Sequence, residues 1–315
     1  MRRIGAIVNP NSGQGLGGRL ERWLKLRLGE ELDLLELAPG VDIPQWARHE
    51  VSLGCERILA FGGDGTFRTV AEALLGIDVR LGLVATGTNN NIARALGLPP
   101  DPHEATEVAL TGSSEWISAG RINGYFFLEG AGIGLEAELW PVGEAVVRRR
   151  FREVLEGPLA LARTIPAAVE IDLEDPDFHE TVSAYTMTIS NVAVTGAHLP
   201  LAPDADIRDP QLYLNVYRSL GPMGTLRTGF DLARKRAVRP EFVSRHPFMR
   251  GRISGSEPLN VHADGSLIGT LPVEVESIPN AIRVVVPEPS DRRATAAAVA
   301  GAHLGQEAST VMGAN

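Results

Sequence analysis

The chain contains almost no cysteine and no apolar run long enough to cross a membrane. Cys55 is its single cysteine, so an internal disulfide is excluded. It precedes an apolar segment, where we expect a small buried side chain rather than a redox or nucleophilic group. No apolar run approaches the roughly 18 residues that a spanning helix needs. With 44% hydrophobic and 22% charged residues, the composition is that of a soluble globular protein with an ample core.

The side-chain patterns of several enzyme classes are also absent. The seven histidines include no H-x-x-x-H pair, no cysteine pair exists, and no G-x-S-x-G segment occurs. Zinc chemistry and serine-hydrolase chemistry are therefore unsupported. The net charge of −9 lacks the basic excess of nucleic-acid-binding proteins, so we expect no nucleic-acid partner. Because the first residues enter a predicted strand without a signal-peptide pattern, we expect a cytoplasmic protein.

The most informative segment that is present runs from Phe61 to Thr66 and reads Phe-Gly-Gly-Asp-Gly-Thr. It follows the apolar run from Arg57 to Ala60 and precedes a helical pattern. Glycines let the backbone approach a ligand closely, and a helix start directs amides toward an anion, so the segment predicts a phosphate-binding loop. Asp64 would repel phosphate unless a metal ion or a transferable proton lay between them. The alternative is a tight turn whose carboxylate caps a helix.

Two further polar loops repeat this layout. Residues 1–8 predict a buried strand that ends at Asn9-Pro10-Asn11-Ser12-Gly13, before an amphipathic run over residues 19–28. Residues 81–85 predict another strand, followed by Gly87-Thr88-Asn89-Asn90-Asn91 and a helix start. In an open parallel sheet the carboxyl ends of the strands form the crevice where ligands bind, so we expect the three loops to meet there.

Two domains and a tail follow from the order of these patterns. Strands and helices alternate over residues 1–115, which predicts a doubly wound α/β nucleotide-binding domain. Residues 116–290 contain mostly short strand patterns and predict a β-rich, sandwich-like substrate domain, interrupted by a helical stretch over residues 135–165. Residues 291–315 are rich in Ala, Gly and Ser and predict a flexible tail.

A dinucleotide-binding site is an alternative interpretation of the first loop. Residues 13–18 satisfy G-x-G-x-x-G after a strand, and Glu36 ends the second predicted strand. However, Asn9 to Ser12 separate the first strand from the first glycine, where that site needs an immediate tight turn. An NAD-dependent oxidoreductase would also leave the loops at Gly62 and Gly87 unexplained.

The three loops together resemble the diacylglycerol kinase catalytic domain group, which includes bacterial lipid kinases and the sphingosine and ceramide kinases, with NAD kinases as relatives. Residues 9–13 match the family's Asn-Pro-x-Ser-Gly, and residues 62–66 match its Gly-Gly-Asp-Gly-Thr. Residues 87–96 resemble its Gly-Thr-x-Asn-Asp-Phe-Ala-Arg-x-Leu, with Asn91 and Ile92 at the Asp and Phe positions. Weaker matches are Asn191 with Ala202-Pro203-Asp204-Ala205, and Asp264-Gly265 for a late Asp-Gly-Glu. The resemblance covers the chain to about Pro287.

This resemblance implies an ATP-dependent kinase that phosphorylates a hydroxyl of a lipid or lipid-like alcohol, with Mg²⁺. It places Asp64 at the phosphate and the metal, and Asp264 as the base that accepts the hydroxyl proton. The alternative for Asp264 is an Asp-Gly hairpin turn. Asp209 is the remaining candidate for a structural Mg²⁺ ligand. The implied nucleotide-binding residues are Asn9, Gly62, Gly63, Asp64, Gly65, Thr66, Gly87, Thr88 and Asn90.

Several acidic residues of the family pattern are missing from this chain. Thr69 and Ser266 stand where glutamate is usual, and Asn91 stands where aspartate is usual. Since each missing carboxylate removes a possible Mg²⁺ ligand or its support, a nucleotide-binding protein with weakened or lost kinase activity is an alternative. The pattern does not identify the acceptor among diacylglycerol, sphingoid bases, phosphatidylglycerol and isoprenoid alcohols.

Contact with an anionic membrane surface is predicted from residues 227–252, called here the basic segment. Its cations are interleaved with apolar residues, as in interfacial segments. The alternative is a solvated cationic face whose aromatic residues are core. A weaker candidate for membrane contact is the arginine cluster at residues 148–150 and 152. Separately, we expect His198 and His262 to be surface or loop imidazoles. The cations of the basic segment are Arg227, Arg234, Lys235, Arg236, Arg239, Arg245, Arg250 and Arg252.

Overall fold

The computed structural model describes residues 3–10, 12, 16–138, 167–195, 200–218 and 242–288. The chain divides into two units, one of residues up to Glu115 together with those from Ile282, and one of residues Trp116–Ala281. Residues 282–288, which the sequence pattern assigned to the second domain, therefore belong to the first unit. The predicted tail over residues 291–315 lies outside the described residues.

The first unit is built on parallel strands, each buried on both faces except at the edge. The strands are β1 (Ile4–Val8), β2 (Leu32–Glu36), β3 (Arg57–Gly62) and β4 (Arg80–Ala85). The helices are α1 (Leu16–Leu28), α2 (Ile43–Ser52), α3 (Asp64–Ala73), α4 (Asn91–Ala95) and α5 (Pro102–Thr111). Aspartate side chains fix two of the helix starts, since Asp42 accepts the amide of Gln45 and Asp101 accepts the amides of His103 and Glu104.

The strand order in this unit is β2-β1-β3-β4, and all of these pairings are parallel. Side chains on one face of the sheet, including Ala6, Val8 and Phe61, form a core with Leu24 of α1 and Ala109 of α5. The opposite face meets α2, because a Cβ on Gly5 would lie 2.8 Å from the ring of Trp46. Helices thus cover both faces, as predicted for a doubly wound sheet, and the order reverses between β1 and β3.

The second unit consists of antiparallel strands. They are β5 (Ser113–Ile122), β6 (Tyr125–Phe127), β7 (Gly130–Gly134), β8 (Ala167–Glu174), β9 (Phe178–Ser190), β10 (Leu212–Arg218), β11 (Val243–Phe248), β12 (Arg250–Gly255), β13 (Asn260–Ala263), β14 (Ser266–Thr270) and β15 (Val273–Val286). Strands β5 and β15 each contribute residues to both units.

The strand order through the second unit is β14-β13-β7-β9-β8-β12-β15, with β10 pairing β9 and β11. Strand β8 shows how the sequence sets the two faces, because its residues alternate strictly between buried and exposed. Val169, Ile171 and Leu173 enter one apolar core with Met187 and Val275, and the intervening carboxylates face outward. The predicted fold class, an α/β first domain and a β-rich second domain, is confirmed.

Candidate active site

The loops that follow β1 and β3 lie side by side, because these strands are neighbours at the point where the strand order reverses. The amide of Asn9 donates to the carbonyl of Phe61 at 3.0 Å. The side-chain amide of Asn9 donates to the hydroxyl of Thr66 at 3.1 Å, and Thr66 is buried. Two of the predicted nucleotide-binding residues are therefore held against each other across 57 positions of sequence.

A second hydrogen bond joins the first loop to the third. The hydroxyl of Thr86 donates to the hydroxyl of Ser12 at 2.8 Å, and the hydroxyl of Ser12 donates to the carbonyl of Asn9 at the same distance. As expected, the loops after β1, β3 and β4 meet at one edge of the sheet.

The glycines at this edge have two different functions. A Cβ on Gly87 would lie 2.6 Å from the Cα of Gly63, and a Cβ on Gly62 would lie 2.3 Å from Thr66. Gly63 and Gly87 thus allow two loops to pack backbone against backbone, and Gly62 makes room for the side chain of Thr66. At Gly65, in contrast, no described heavy atom lies within 4 Å of the Cβ position, apart from its chain neighbours and the nearby backbone of its own helix. Gly65 is in the first turn of α3 and leaves open space beside it, as an approaching phosphate requires.

Asp64 joins the second loop to the third. Its Oδ1 accepts the amide of Ile92 at 3.1 Å, and the amides of Asn90 and Asn91 also contribute hydrogen bonds to the carboxylate. Burial raises the pKa of Asp64 above its usual value, whereas these amides act to lower it. The carboxylate therefore caps α4, which is the alternative function considered from the sequence, and it does so across two loops rather than within its own turn.

Within the third loop, the side chain of Asn90 closes a ring with Gly87. The amide of Gly87 donates to Oδ1 of Asn90 at 3.0 Å, and Nδ2 of Asn90 donates to the carbonyl of Gly87 at 3.0 Å. Asn90 has a left-handed backbone with φ of 52°. The structure thus gives Asn90 a loop-closing function and leaves Thr88 exposed. Contact of either residue with a nucleotide stays a prediction.

The three positions where the family usually has an acidic residue differ in their surroundings. Asn91 is buried at the start of α4, and Thr69 uses its hydroxyl to bond the carbonyl of Gly65 at 3.0 Å. Ser266 is exposed at the start of β14. Asp64 is the one acidic residue that the three loops contain.

In the second unit, Asp264 occupies the two-residue turn between β13 and β14, with φ of 42°. Its carboxylate accepts the amides of Leu128, Glu129 and Gly130 at 2.8 to 3.1 Å. This turn is the hairpin considered from the sequence, and its carboxylate anchors the segment that enters β7. The function of Asp264 as a base stays a prediction.

Asp209 accepts the hydroxyl of Tyr213 at 2.8 Å. Burial, and then this hydrogen bond, raise the pKa of Tyr213 to about 12. Among the described residues, Asp209 belongs to no group of three or more metal-ligating side chains. The group that these residues do contain is exposed and consists of Glu170, Asp172 and His179. The function of Asp209 as a Mg²⁺ ligand stays a prediction.

One prediction about a histidine is wrong. His262 is not a surface or loop imidazole, because it lies on β13 with 3% of its surface exposed. Its Nε2 lies 3.2 Å from Oε2 of Glu136, and both residues line a small polar pocket with Glu129. Sequence reasoning missed Glu136 and Glu129. The clue in the sequence was Gly132 with a glutamate four positions later. Because glycine has no side chain, a neighbouring carboxylate can lie beside its backbone.

The predicted membrane-contact residues fall largely outside the described residues. These include residues 227–241 of the basic segment and residues 148–152. His198 also lies outside the described residues. Of the described cations, Arg250 pairs with Glu174 at 2.8 Å and Arg252 with Glu274 at 3.3 Å. Over the described ranges, no helix combines the length and apolar character needed to cross a membrane.

Two family models match most of the chain. Residues 3–122 match the diacylglycerol kinase catalytic domain, and residues 147–286 match the YegS C-terminal NAD kinase beta sandwich-like domain. The dinucleotide-site interpretation has no comparable support. Gly17 and Gly18 lie within α1, and residues 13–15 lie outside the described residues.

Proteins of similar sequence align with most of this chain. A diacylglycerol kinase of Bacillus subtilis is 27% identical over 304 residues, covering 91% of this chain and 97% of its own length. A probable lipid kinase, YegS-like, of Pseudomonas fluorescens is 29% identical and covers 79% of this chain and 83% of its own length. The crystal structure of a diacylglycerol kinase from Bacillus anthracis has a TM-score of 0.69 at 22% identity, covering 92% of this chain and 98% of its own. This last similarity concerns the fold.

Proposed function

Because residues 3–122 belong to the diacylglycerol kinase catalytic domain family and residues 147–286 to the YegS C-terminal NAD kinase beta sandwich-like domain family, we propose that this protein transfers a phosphoryl group from ATP to a hydroxyl of a lipid or lipid-like alcohol. The observation that carries the proposal is the convergence of three polar loops at the carboxyl edge of the parallel sheet. Asn9 and Thr66 are in direct contact there, and Asp64 fixes the start of α4.

The residues at this edge fit the phosphates of a nucleotide. Gly63 is the N-cap of α3 and brings no side-chain cap, so the first turn of α3 can direct its amides at an anion beside Gly65. The polar groups of Asn9 and Thr66 flank this position. Bound ATP would supply the phosphoryl group, and the loops would hold it in place.

This edge of the sheet offers few protein ligands for Mg²⁺. Asp64 is the one carboxylate that the loops supply, and Mg²⁺ at nucleotide sites commonly uses one or two carboxylates together with phosphate oxygens and water. The amides of α4 already occupy part of the Asp64 carboxylate. We therefore propose a single protein ligand for Mg²⁺, and most of the remaining ligands would come from the nucleotide and water.

Asp264 is the residue of the second unit that we propose as the base. The acceptor oxygen would form the new bond to phosphorus as the bond to ADP breaks, and the hydroxyl proton would pass to the Asp264 carboxylate. Three backbone amides hold this carboxylate in a fixed orientation. Such positioning is what phosphoryl transfer asks of a protein.

The test is an acceptor screen with ATP labelled at the terminal phosphate. Diacylglycerol, a sphingoid base, phosphatidylglycerol and an isoprenoid alcohol are each presented in mixed micelles. The proposal predicts labelled lipid with at least one acceptor, dependent on Mg²⁺. If no acceptor gains label while a known lipid kinase labels its substrate in parallel, the proposal is wrong.

A nucleotide-binding protein with weakened or lost kinase activity is the second candidate. It is favoured by the absence of a carboxylate at Thr69, Asn91 and Ser266. The two candidates differ in ADP production. The kinase forms ADP above a no-acceptor control, whereas the second candidate binds ATP without that increase.

A further inference from the structure

Residues 128–130 lead from β6 into β7 and hold the carboxylate of Asp264. Their three amides donate to its two oxygens at 2.8 to 3.1 Å. In return, the amide of Asp264 donates to the carbonyl of Gly130 at 3.0 Å. Four hydrogen bonds therefore tie the proposed base to this segment, so the position of the carboxylate follows the position of residues 128–130.

The carbonyls of the same segment bind Asn191, which directly follows β9 and is 1% exposed. The side-chain amide of Asn191 donates to the carbonyl of Leu128 at 2.8 Å, and its backbone amide donates to the carbonyl of Glu129 at 2.9 Å. The side-chain amide also donates to the carbonyl of Ser118 on β5 at 2.9 Å. One buried side chain thus links β5 and the end of β9 to the segment that holds Asp264.

Asp264 and Asn191 together account for all six backbone hydrogen-bonding groups of residues 128–130. Asp264 takes the three amides and the last carbonyl, and Asn191 takes the first two carbonyls. The segment is buried, and a buried backbone group that loses its partner is costly to leave unpaired. Without the side chain of Asn191, the Leu128 carbonyl loses this partner, so the segment is expected to shift and to carry the Asp264 carboxylate with it.

We propose that Asn191 is a positioning residue for phosphoryl transfer, because it holds residues 128–130 in the place where their amides orient the Asp264 carboxylate. The inference rests on the proposed function, since it takes Asp264 as the base. Asn191 acts on the rate through Asp264 rather than by contact with a substrate. A displacement of about 1 Å at a reacting group can cost about 10² in rate, so losing this support affects turnover.

Asn191→Ala removes the side-chain amide and keeps the backbone amide. We expect kcat for lipid labelling to fall about tenfold to a hundredfold. The Kd for ATP should stay within about twofold, because Asn191 and the three nucleotide loops belong to different units. Asn123→Ala is the matched control, since Asn123 also joins two backbone segments through its side chain, which accepts the amide of Glu274 at 2.8 Å. This control should keep the wild-type kcat at a temperature below the unfolding transition of every variant.

A double-mutant cycle distinguishes positioning from general stabilisation. Asp264→Asn should lower kcat by about 10² to 10⁴, as expected for loss of a base. Adding Asn191→Ala to that variant should lower kcat by no more than about twofold further. An equal loss in both backgrounds, or wild-type kcat in either folded single variant, overturns the inference. If circular dichroism shows that Asn191→Ala is misfolded, Asn191→Ser takes its place in the cycle, because serine keeps one donor in a smaller side chain.

Hydrogen exchange separates this inference from the kinase activity, because it needs no substrate. NMR measures the exchange of the amides of residues 128–130 relative to those of β8 in the same unit. We expect their relative protection to fall at least about tenfold in the Asn191 variant and to stay near the wild-type value in Asn123→Ala. Unchanged protection in the Asn191 variant overturns the inference even if the protein phosphorylates lipids. Reduced protection in a protein that labels no acceptor supports the hold of Asn191 on Asp264 and overturns the kinase function alone.

Discussion

At the edge of the parallel sheet, Asp64 and the glycines around it contribute in separable ways. The Asp64 carboxylate accepts amides from the start of α4 and is partly buried, so it orders the third loop as well as facing the proposed phosphate position. Gly63 and Gly87 make the loops pack, and Gly65 leaves space. A change at Gly63 or Gly87 is therefore expected to lower stability, whereas a change at Gly65 is expected to weaken ligand binding.

We predict that Gly65→Ala weakens ATP binding without loss of stability. Beyond its chain neighbours and the nearby backbone of α3, the added methyl group meets no described atom within 4 Å. Alanine is also favoured over glycine in a helix by about 0.5–1 kcal/mol. The methyl group occupies the space proposed for phosphate, so the Kd for ATP should rise at least about tenfold at an unchanged or higher Tm. Isothermal titration and thermal unfolding measure the two effects.

Gly87→Ala is the matched comparison. Its Cβ would lie 2.6 Å from the Cα of Gly63, so the loops must separate, at a cost of about 1–3 kcal/mol. We expect a lower Tm for this variant. If Gly65→Ala bound ATP as the wild type does, the phosphates would lie elsewhere.

At the scale of the elements, continuous apolar runs followed by polar glycine loops were sufficient to predict β1, β3 and β4 and the meeting of their loops. Strand β7 was not predicted, because Gly-Ala-Gly-Ile-Gly has neither β-branched enrichment nor alternation. It is nevertheless fully buried between β9 and β13, where a Cβ on Gly130 would lie 2.4 Å from the carbonyl oxygen of Ile189. Packing against neighbouring strands, rather than local preference, determines this strand.

Side-chain contacts between distant strands also escaped prediction. Glu136 follows β7 and His262 lies on β13, more than a hundred residues later, so no local pattern joins them. The loops of the first unit were predictable because each is a contiguous motif. The polar pocket of the second unit depends on which strands pair, and an antiparallel unit of this size permits many pairings.

The β8–β9 pair supports a pH prediction. His179 is opposite Asp172 in the register, and the hydrogen bond and charge of Asp172 raise the pKa of His179. A raised pKa means that the folded state holds the proton more tightly. The stability contribution is therefore fully present below the unfolded pKa of about 6.5 and is lost as the pH rises through the folded pKa. His179→Gln should lower the Tm at pH 5.5 and have little effect at pH 9. An equal change at both pH values would exclude this linkage.

At the scale of the whole molecule, a net charge of −9 opposes attachment to an anionic membrane, so binding to such a surface needs a local cationic region. We predict that replacing Arg234, Lys235 and Arg236 with Ser reduces co-sedimentation with anionic liposomes. At about 1 kcal/mol for each cation near the surface, the three changes should weaken binding on the order of a hundredfold. Wild-type binding should also fall as salt increases.

Arg250→Ser is the control for this prediction, because Arg250 already pairs with Glu174 on the neighbouring strand. Its loss should leave liposome binding close to that of the wild type. Salt-independent binding by the wild type, or no binding at all, would count against membrane contact through the basic segment.

The central claim is tested most directly by measuring how fast the Asp64→Asn variant transfers label from ATP to lipid. Removing one group that stabilises a transition state commonly costs about 10² to 10³ in rate. Asp101→Asn is the matched control, since Asp101 also caps a helix of the first unit but lies outside the three loops. We predict that the wild type and Asp101→Asn label the lipid at similar rates, whereas Asp64→Asn is slower by about 10² to 10³. Wild-type turnover by Asp64→Asn would show that Asp64 only caps α4, and would contradict a phosphoryl-transfer site at this edge of the sheet.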